Sequence, residues 1–147
     1  MKKSGVEAAR QMWLWMKQKK TGVQGYCLKT CREAWDLPAQ DPSAIEEWNS
    51  IPEHRRFKNW KDAPVGAPHF WAGGKYGHIA LQSNKKGYVL STDAPKGDLI
   101  GRVRIGWFKR NWGYTYLGWS NELQNRKLPL GQMPKGSVYS AVKKGKK

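Results

Sequence analysis

Apolar positions recur at helical spacing over residues 5–19, where Val6, Ala9, Trp13 and Met16 form a stripe and Glu7, Arg10 and Lys17 fall elsewhere. Thr21, Gly22 and Gly25 break this helix. A second helix is predicted from about Tyr26 to Asp36, with Leu28, Cys31 and Trp35 as its apolar stripe and Pro38 as its stop. A third begins in Asp41-Pro42-Ser43-Ala44-Ile45-Glu46, where proline suits the first turn and Ser43 and Glu46 have capping-box spacing. Pro52 ends it, and the polar, basic stretch 53–64 reads as a loop. From Ala67 the pattern changes to short strands at 68–72, 77–82, 87–92, 99–105 and 114–118, separated by glycine- and proline-containing turns. Helices first and an antiparallel sheet afterwards predict an α+β domain.

Length and charge narrow the picture. The chain has 147 residues, which suits one domain, expected over 1–133, followed by a basic, flexible tail over 134–147. No stretch approaches the roughly 20 apolar residues that cross a bilayer. Lys2 and Lys3 precede only a short apolar block, Met12 to Met16, followed by more lysines rather than a cleavage site, so the N-terminal segment is read as a helix of the domain. A cytoplasmic protein is expected on that basis, unless another factor releases it. Net charge is +16, from 27 Lys and Arg against 11 Asp and Glu, which favours nucleic acid, an anionic membrane surface or an anionic cell-wall polymer as partner. Nine tryptophans add rings that can fill a core or stack on sugars and bases.

The candidate chemistry lies in a few residues. Cys27 opens the second predicted helix, where the dipole and free backbone N–H groups favour thiolate, the nucleophilic form. Cys31 lies one turn further in and is expected to face the core. The C-x3-C spacing has no clustered histidine partner, so no metal site is expected, and a disulfide one helical turn apart would be strained. Among the histidines, His54 falls in a polar loop and His69 at a strand start. His78 lies in a strand whose alternation puts His78, Ala80 and Gln82 on one face, with small residues leaving space for another element to approach. A Cys–His pair needs a third group to orient the imidazole, and the next strand offers Ser91 and Asp93, the latter equally suited to cap the turn before Pro95.

Taken in order, Gly25-Tyr26-Cys27, Ala67-Pro68-His69-Phe70-Trp71, Gly77-His78-Ile79-Ala80-Leu81 and Ser91-Thr92-Asp93 resemble the CHAP and NlpC/P60 superfamily of cysteine peptidoglycan hydrolases, most of all the small domains of phage endolysins. The segments Trp112-Gly113-Tyr114 and Tyr116-Leu117-Gly118-Trp119 extend the likeness, which covers residues 8 to 120. Leu28-Lys29-Thr30-Cys31 is more polar than close relatives would have.

The resemblance implies a papain-like fold and cleavage of an amide bond in bacterial peptidoglycan, without cofactor or metal, by a monomer. Cys27 would be nucleophile and His78 base, with Asp93 preferred over Ser91 as the orienting group. It also implies a cytoplasmic protein released through a holin-type pore. Arg55, Arg56, Lys58 and Lys61 are candidates for attracting wall polymers, and Trp60, Trp71 and Trp107 for stacking on glycan. Two other readings stand beside this one: a non-catalytic basic module binding nucleic acid or wall polymer, and the same fold carrying transglutaminase-like or deamidase chemistry.

Overall fold

Residues 3–130, the part of the chain that the computed structural model describes, begin with a capped helix. The tail expected over 134–147 lies outside the described residues, as does the end of the domain expected over 1–133. In α1 (Gly5–Lys17), Ser4 Oγ accepts from Glu7 N–H at 3.1 Å and Glu7 Oε1 accepts from Ser4 N–H at 2.8 Å, a complete capping box. The buried face of α1 is Gly5, Ala8, Ala9 and Met12, rotated from the stripe that periodicity suggests; Val6 and Trp13 are exposed. The small residues decide it. A Cβ placed on Gly5 would stand 2.0 Å from the Val65 carbonyl oxygen, so only a small-residue face brings the helix this close to the sheet.

Helix α2 (Cys27–Ala34) and helix α3 (Ala44–Ser50) follow, the latter capped by Ser43, whose Oγ accepts from Glu46 N–H at 3.3 Å. The stretch expected to be a loop contains two 3-10 turns, Glu53–Arg55 and Trp60–Asp62, around a two-residue strand, β1 (Arg56–Phe57). Two residues are too few to show alternation, yet β1 pairs with Ser120 and Trp119 and forms the sheet edge. The remaining strands are β2 (Pro68–Ala72), β3 (His78–Gln82), β4 (Tyr88–Thr92) and β5 (Ile100–Arg104). After them come α4 (Trp107–Trp112), β6 (Thr115–Ser120) and a small hairpin, β7 (Glu122–Leu123) with β8 (Arg126–Lys127). The main sheet is antiparallel in the order β1-β6-β2-β3-β4-β5, and the molecule is α+β.

Alternation along the strands divides the interior in two. Phe70, Ile79, Leu81 and Leu90 pack with the buried faces of α1, α2 and α3. Trp71, Ala80, Val89 and Val103 pack with Phe108 of α4, bordered by the partly buried Trp107, Trp112, Tyr114 and Tyr116. Paired residues share a face, so the register Trp71↔His78 sets His78 with the second group. The element that approaches the small residue Ala80 is therefore the aromatic α4, not the start of α2. No helix among the described residues is long and apolar enough to cross a membrane.

The β4–β5 hairpin is closed by a tight contact. A Cβ on Gly101 would lie 2.0 Å from the Ala94 carbonyl oxygen and 2.6 Å from Pro95 Cδ. Gly101→Ala is expected to lower unfolding stability by about 2–4 kcal/mol, because neither backbone nor proline ring can yield locally. Urea unfolding followed by tryptophan fluorescence measures this, and a loss under about 0.5 kcal/mol would mean the turn is not rigid.

Candidate active site

Helix α2 starts without a side-chain cap of its own; its N-cap residue, Tyr26, makes no such bond. Two carboxylates from the turn between β4 and β5 hold the approach to it instead. Asp98 Oδ1 accepts from the N–H of Val23 at 2.8 Å and of Gln24 at 2.9 Å. Asp93 Oδ2 accepts from Gly25 N–H at 3.1 Å, and its Oδ1 accepts from Asp98 N–H at 2.7 Å. Those backbone donors, Gln24 chiefly, keep the Asp98 carboxyl below its ordinary range. Three consecutive N–H groups are thereby tied down just before Cys27.

This corrects the role expected of Asp93. The residue sits past the end of β4 with φ 61, a left-handed conformation that turns its side chain out of the strand's alternation. It holds the loop that carries Cys27 and does not touch His78. The contact to His78 comes from Ser91, whose Oγ lies 2.7 Å from His78 Nε2.

Cys27 is half-buried, a free thiol at the first position of α2. Burial pushes its pKa up to about 11, against the pull of the N–H groups of Ile79, Leu28 and Cys27 itself, and Asp93 adds a small upward push. The helix start therefore does not deliver a resting thiolate, as its position in the sequence suggested; desolvation outweighs the dipole. Ile79 faces the helical side of β3 together with Cys27, whereas the neighbouring His78 faces α4. No hydrogen bond joins Cys27 Sγ to His78 among the described residues. Cys31, fully buried, has its Sγ 3.9 Å from the Ile79 carbonyl oxygen and is a core residue, as expected.

The His78 hydrogen bonds define a tautomer. Ser91 Oγ also lies 2.9 Å from the Thr92 carbonyl oxygen, which can only accept, so the single hydroxyl proton goes there. Ser91 must then accept from His78, which puts the imidazole proton on Nε2 and leaves the lone pair on Nδ1. The ring is enclosed by Trp71, Phe108 and Trp112, with centroids 5.9, 5.0 and 5.1 Å away. Burial among those rings lowers the His78 pKa to about 3. The resting site is a neutral thiol and a neutral imidazole.

His69 shows the contrast. Its Nε2 lies 2.7 Å from Gln82 Oε1 and its Nδ1 lies 2.8 Å from Tyr116 Oη, so both nitrogens are occupied within the core. Burial lowers its pKa to about 4. This histidine is structural, whereas His54 is exposed on a 3-10 turn. Among the described residues no group of three or more His, Cys, Asp or Glu side chains could hold a metal ion.

No protein-family model, curated protein or solved structure matches this chain. The chemistry rests on the site alone: a thiol with backbone donors beside it on the helical face of the sheet, and a neutral imidazole with one free nitrogen among the aromatic residues of the opposite face.

The aromatic candidates change places. Trp71 is core, and Trp60 and Trp107 border the aromatic cluster. The exposed rings nearest in sequence to Cys27 and His78 are Tyr26 and Tyr76, 54% and 59% exposed, with Lys29 and Lys75 over them at 5.3 Å. Among the basic candidates, Arg55 pairs with Glu122 at 3.4 Å, Arg56 and Lys61 lie over Trp48 and Trp60, and Lys58 is exposed. Sequence patterning also missed Glu47, a buried acid that accepts from the backbone and side-chain N–H groups of Gln124. Burial pushes its pKa up to about 8.

Alkylation of Cys27 by iodoacetamide should rise about tenfold per pH unit from about pH 7 to 10, as for an unactivated thiol. A rate plateau reaching down to neutral pH would instead reveal a thiolate–imidazolium pair. Both buried histidines bind protons more readily unfolded, near 6.5, than folded, at about 3 and about 4. Their contribution is full above pH 6.5 and is lost as pH falls through that window. Glu47 acts oppositely, adding stability below about 4.5 that is lost as pH rises through about 8, so the test is made in Glu47→Gln. Its urea midpoint should fall steadily below about pH 6.5; a flat profile down to about pH 4 would show that the histidines are not buried neutral.

Proposed function

We propose that the chain is a thiol hydrolase of bacterial peptidoglycan with a papain-like core, as the resemblance in its sequence implies. The observation that carries the proposal is the tautomer of His78: its Nε2–H donates to Ser91 Oγ, which leaves Nδ1 as the basic atom. Asp93, Asp98, Gly25 and the first turn of α2 are positioning groups, and Cys27 and His78 are the reacting ones.

With both partners neutral at rest, proton transfer accompanies attack. The Cys27 sulfur bonds to the stem-peptide carbonyl carbon as the thiol proton passes to His78 Nδ1. The carbonyl oxygen gains the charge, and the N–H groups of Cys27, Leu28 and Ile79 are the available donors to it. Collapse breaks the C–N bond, and the proton on Nδ1 goes to the departing amine. Water then enters by the reverse steps and frees the thiol. In the structure the His78 ring packs against Trp71, Phe108 and Trp112 on the face of the sheet opposite α2, so the first step requires a rearrangement on substrate binding that brings Nδ1 to the Cys27 sulfur. The cations over Tyr26 and Tyr76 suit a substrate bearing carboxylates and, in many walls, phosphates. On this reading the protein acts as a monomer, without cofactor, after release to the wall.

Purified cell walls provide the test. Wild type should clear them and release soluble peptide or glycan fragments, and Cys27→Ala, equally folded by circular dichroism, should not. Ser91→Ala should retain the fold and lose about tenfold or more in kcat, with a smaller effect on KM, because it frees the imidazole to adopt the wrong tautomer. Equal clearing by wild type and Cys27→Ala, or none by either across several wall types, would defeat the proposal.

A further inference from the structure

A second surface lies away from Cys27. Val6, Arg10, Trp13 and Lys17 stand at helical spacing on the outer face of α1, all exposed, Val6 by 64% and Trp13 by 41%. Lys17 Nζ lies 5.7 Å from the centroid of the Trp13 ring. Beside this face runs a groove of about 270 Å³, whose lining includes Val6, Trp13, Val65 and Leu90 together with Arg10 and Arg102. Past its far wall three cations converge on one ring: Lys85, Arg104 and Arg102 lie 4.7, 5.3 and 5.8 Å from the Tyr88 centroid.

The ion pairs among the described residues are Lys3–Asp36 and Arg55–Glu122, so none of these cations has an acidic partner. The nearest acid along the outer face of α1 is Glu7, which lies about 100° round the helix from Val6 and is bonded to Ser4. The surface thus combines uncompensated positive charge with large apolar side chains held in water. A purely hydrophilic polyanion would satisfy the charge and leave Val6 and Trp13 exposed. An anionic bilayer satisfies both, taking the apolar groups below its headgroups and the cations among them.

We propose that the outer face of α1 and the adjoining β4–β5 rim form a docking surface for an anionic lipid bilayer. This surface neither includes nor depends on Cys27 and His78. It would hold the protein at a membrane whether or not the hydrolase proposal survives.

Cosedimentation of the full chain with vesicles tests it. Vesicles of equimolar phosphatidylglycerol and phosphatidylcholine should bind the protein, and pure phosphatidylcholine should bind it at least about tenfold more weakly. Val6→Ser with Trp13→Ala, which removes no charge, should cost about tenfold in affinity for the anionic vesicles. Arg10→Gln with Arg102→Gln should cost more than Lys75→Gln with Lys109→Gln, an equal loss of charge elsewhere. Cys27→Ala should bind as wild type does. Equal losses for the two charge pairs, an unchanged Val6/Trp13 variant, or full displacement by duplex DNA of matched charge would each overturn the proposal in favour of unspecific attraction to polyanions.

Discussion

The arrangement of the site rests on two carboxylates accepting from three consecutive backbone N–H groups. Asp98 and Asp93 tie Val23, Gln24 and Gly25 to the β4–β5 turn, and the first turn of α2 follows directly. Without them the segment before Cys27 would carry unpaired donors and a glycine at φ 78 with nothing within 4 Å of where its Cβ would be. The turn is itself braced, by the Asp93–Asp98 contact and by the close approach of Gly101 to Ala94. Because β4 also carries Ser91, one short strand and its turn position both the thiol and the imidazole. A disturbance in that hairpin reaches the two groups together.

Burial then sets the proton inventory. A helix start favours thiolate, but removing a half-buried sulfur from water acts in the opposite sense and wins here. The same argument keeps His78 neutral within its ring of Trp71, Phe108 and Trp112. A neutral pair is less reactive at rest than an ion pair, yet it leaves the Nδ1 lone pair available, which a protonated imidazole would lack. Ser91 matters for that reason: it adds no charge and acts by choosing which nitrogen keeps the proton.

Much of this was legible in the sequence, and the failures have physical causes. Strands β2 to β6 show in their alternation and punctuation, and the first three helices in their caps and stops. Helix α4 did not show because its apolar positions are all aromatic, Trp107, Phe108 and Trp112, and resemble strand residues as much as helical ones. The orientation of α1 departs from its hydrophobic pattern because hydrophobicity ranks Val6 and Trp13 above Gly5 and Ala8, whereas close approach to the Val65 carbonyl rewards the smallest residues. Cys27 and His78 stand out by residue type and order, but the sequence does not show that Cys27 packs on the helical face of the sheet and His78 against the aromatic residues of the other. Of the two roles open to Asp93, the structure shows the turn-holding one, because a positive φ after Thr92 ends the strand's alternation. Nothing in spacing alone could reveal that two aspartates would serve a loop some seventy residues earlier in the chain.

The aromatic richness and the charge excess have a shared explanation. In a chain with 27 cations and 11 acids, most cations cannot find a carboxylate. Rings stand in for them: Lys17 on Trp13, Lys20 on Trp15, Lys29 on Tyr26, Arg56 on Trp48, Lys61 on Trp60 and Lys75 on Tyr76. Each such contact is worth about 0.5–1 kcal/mol at an exposed site, which offsets part of the entropy lost in ordering a long side chain. Unlike a salt bridge, it leaves the charge uncancelled. The fold can therefore seat its lysines and arginines while the molecule keeps a field that extends about 8 Å into physiological saline. An acidic residue in place of each of these six rings would order the same side chains but lower the net charge from +16 to +10, weakening that field.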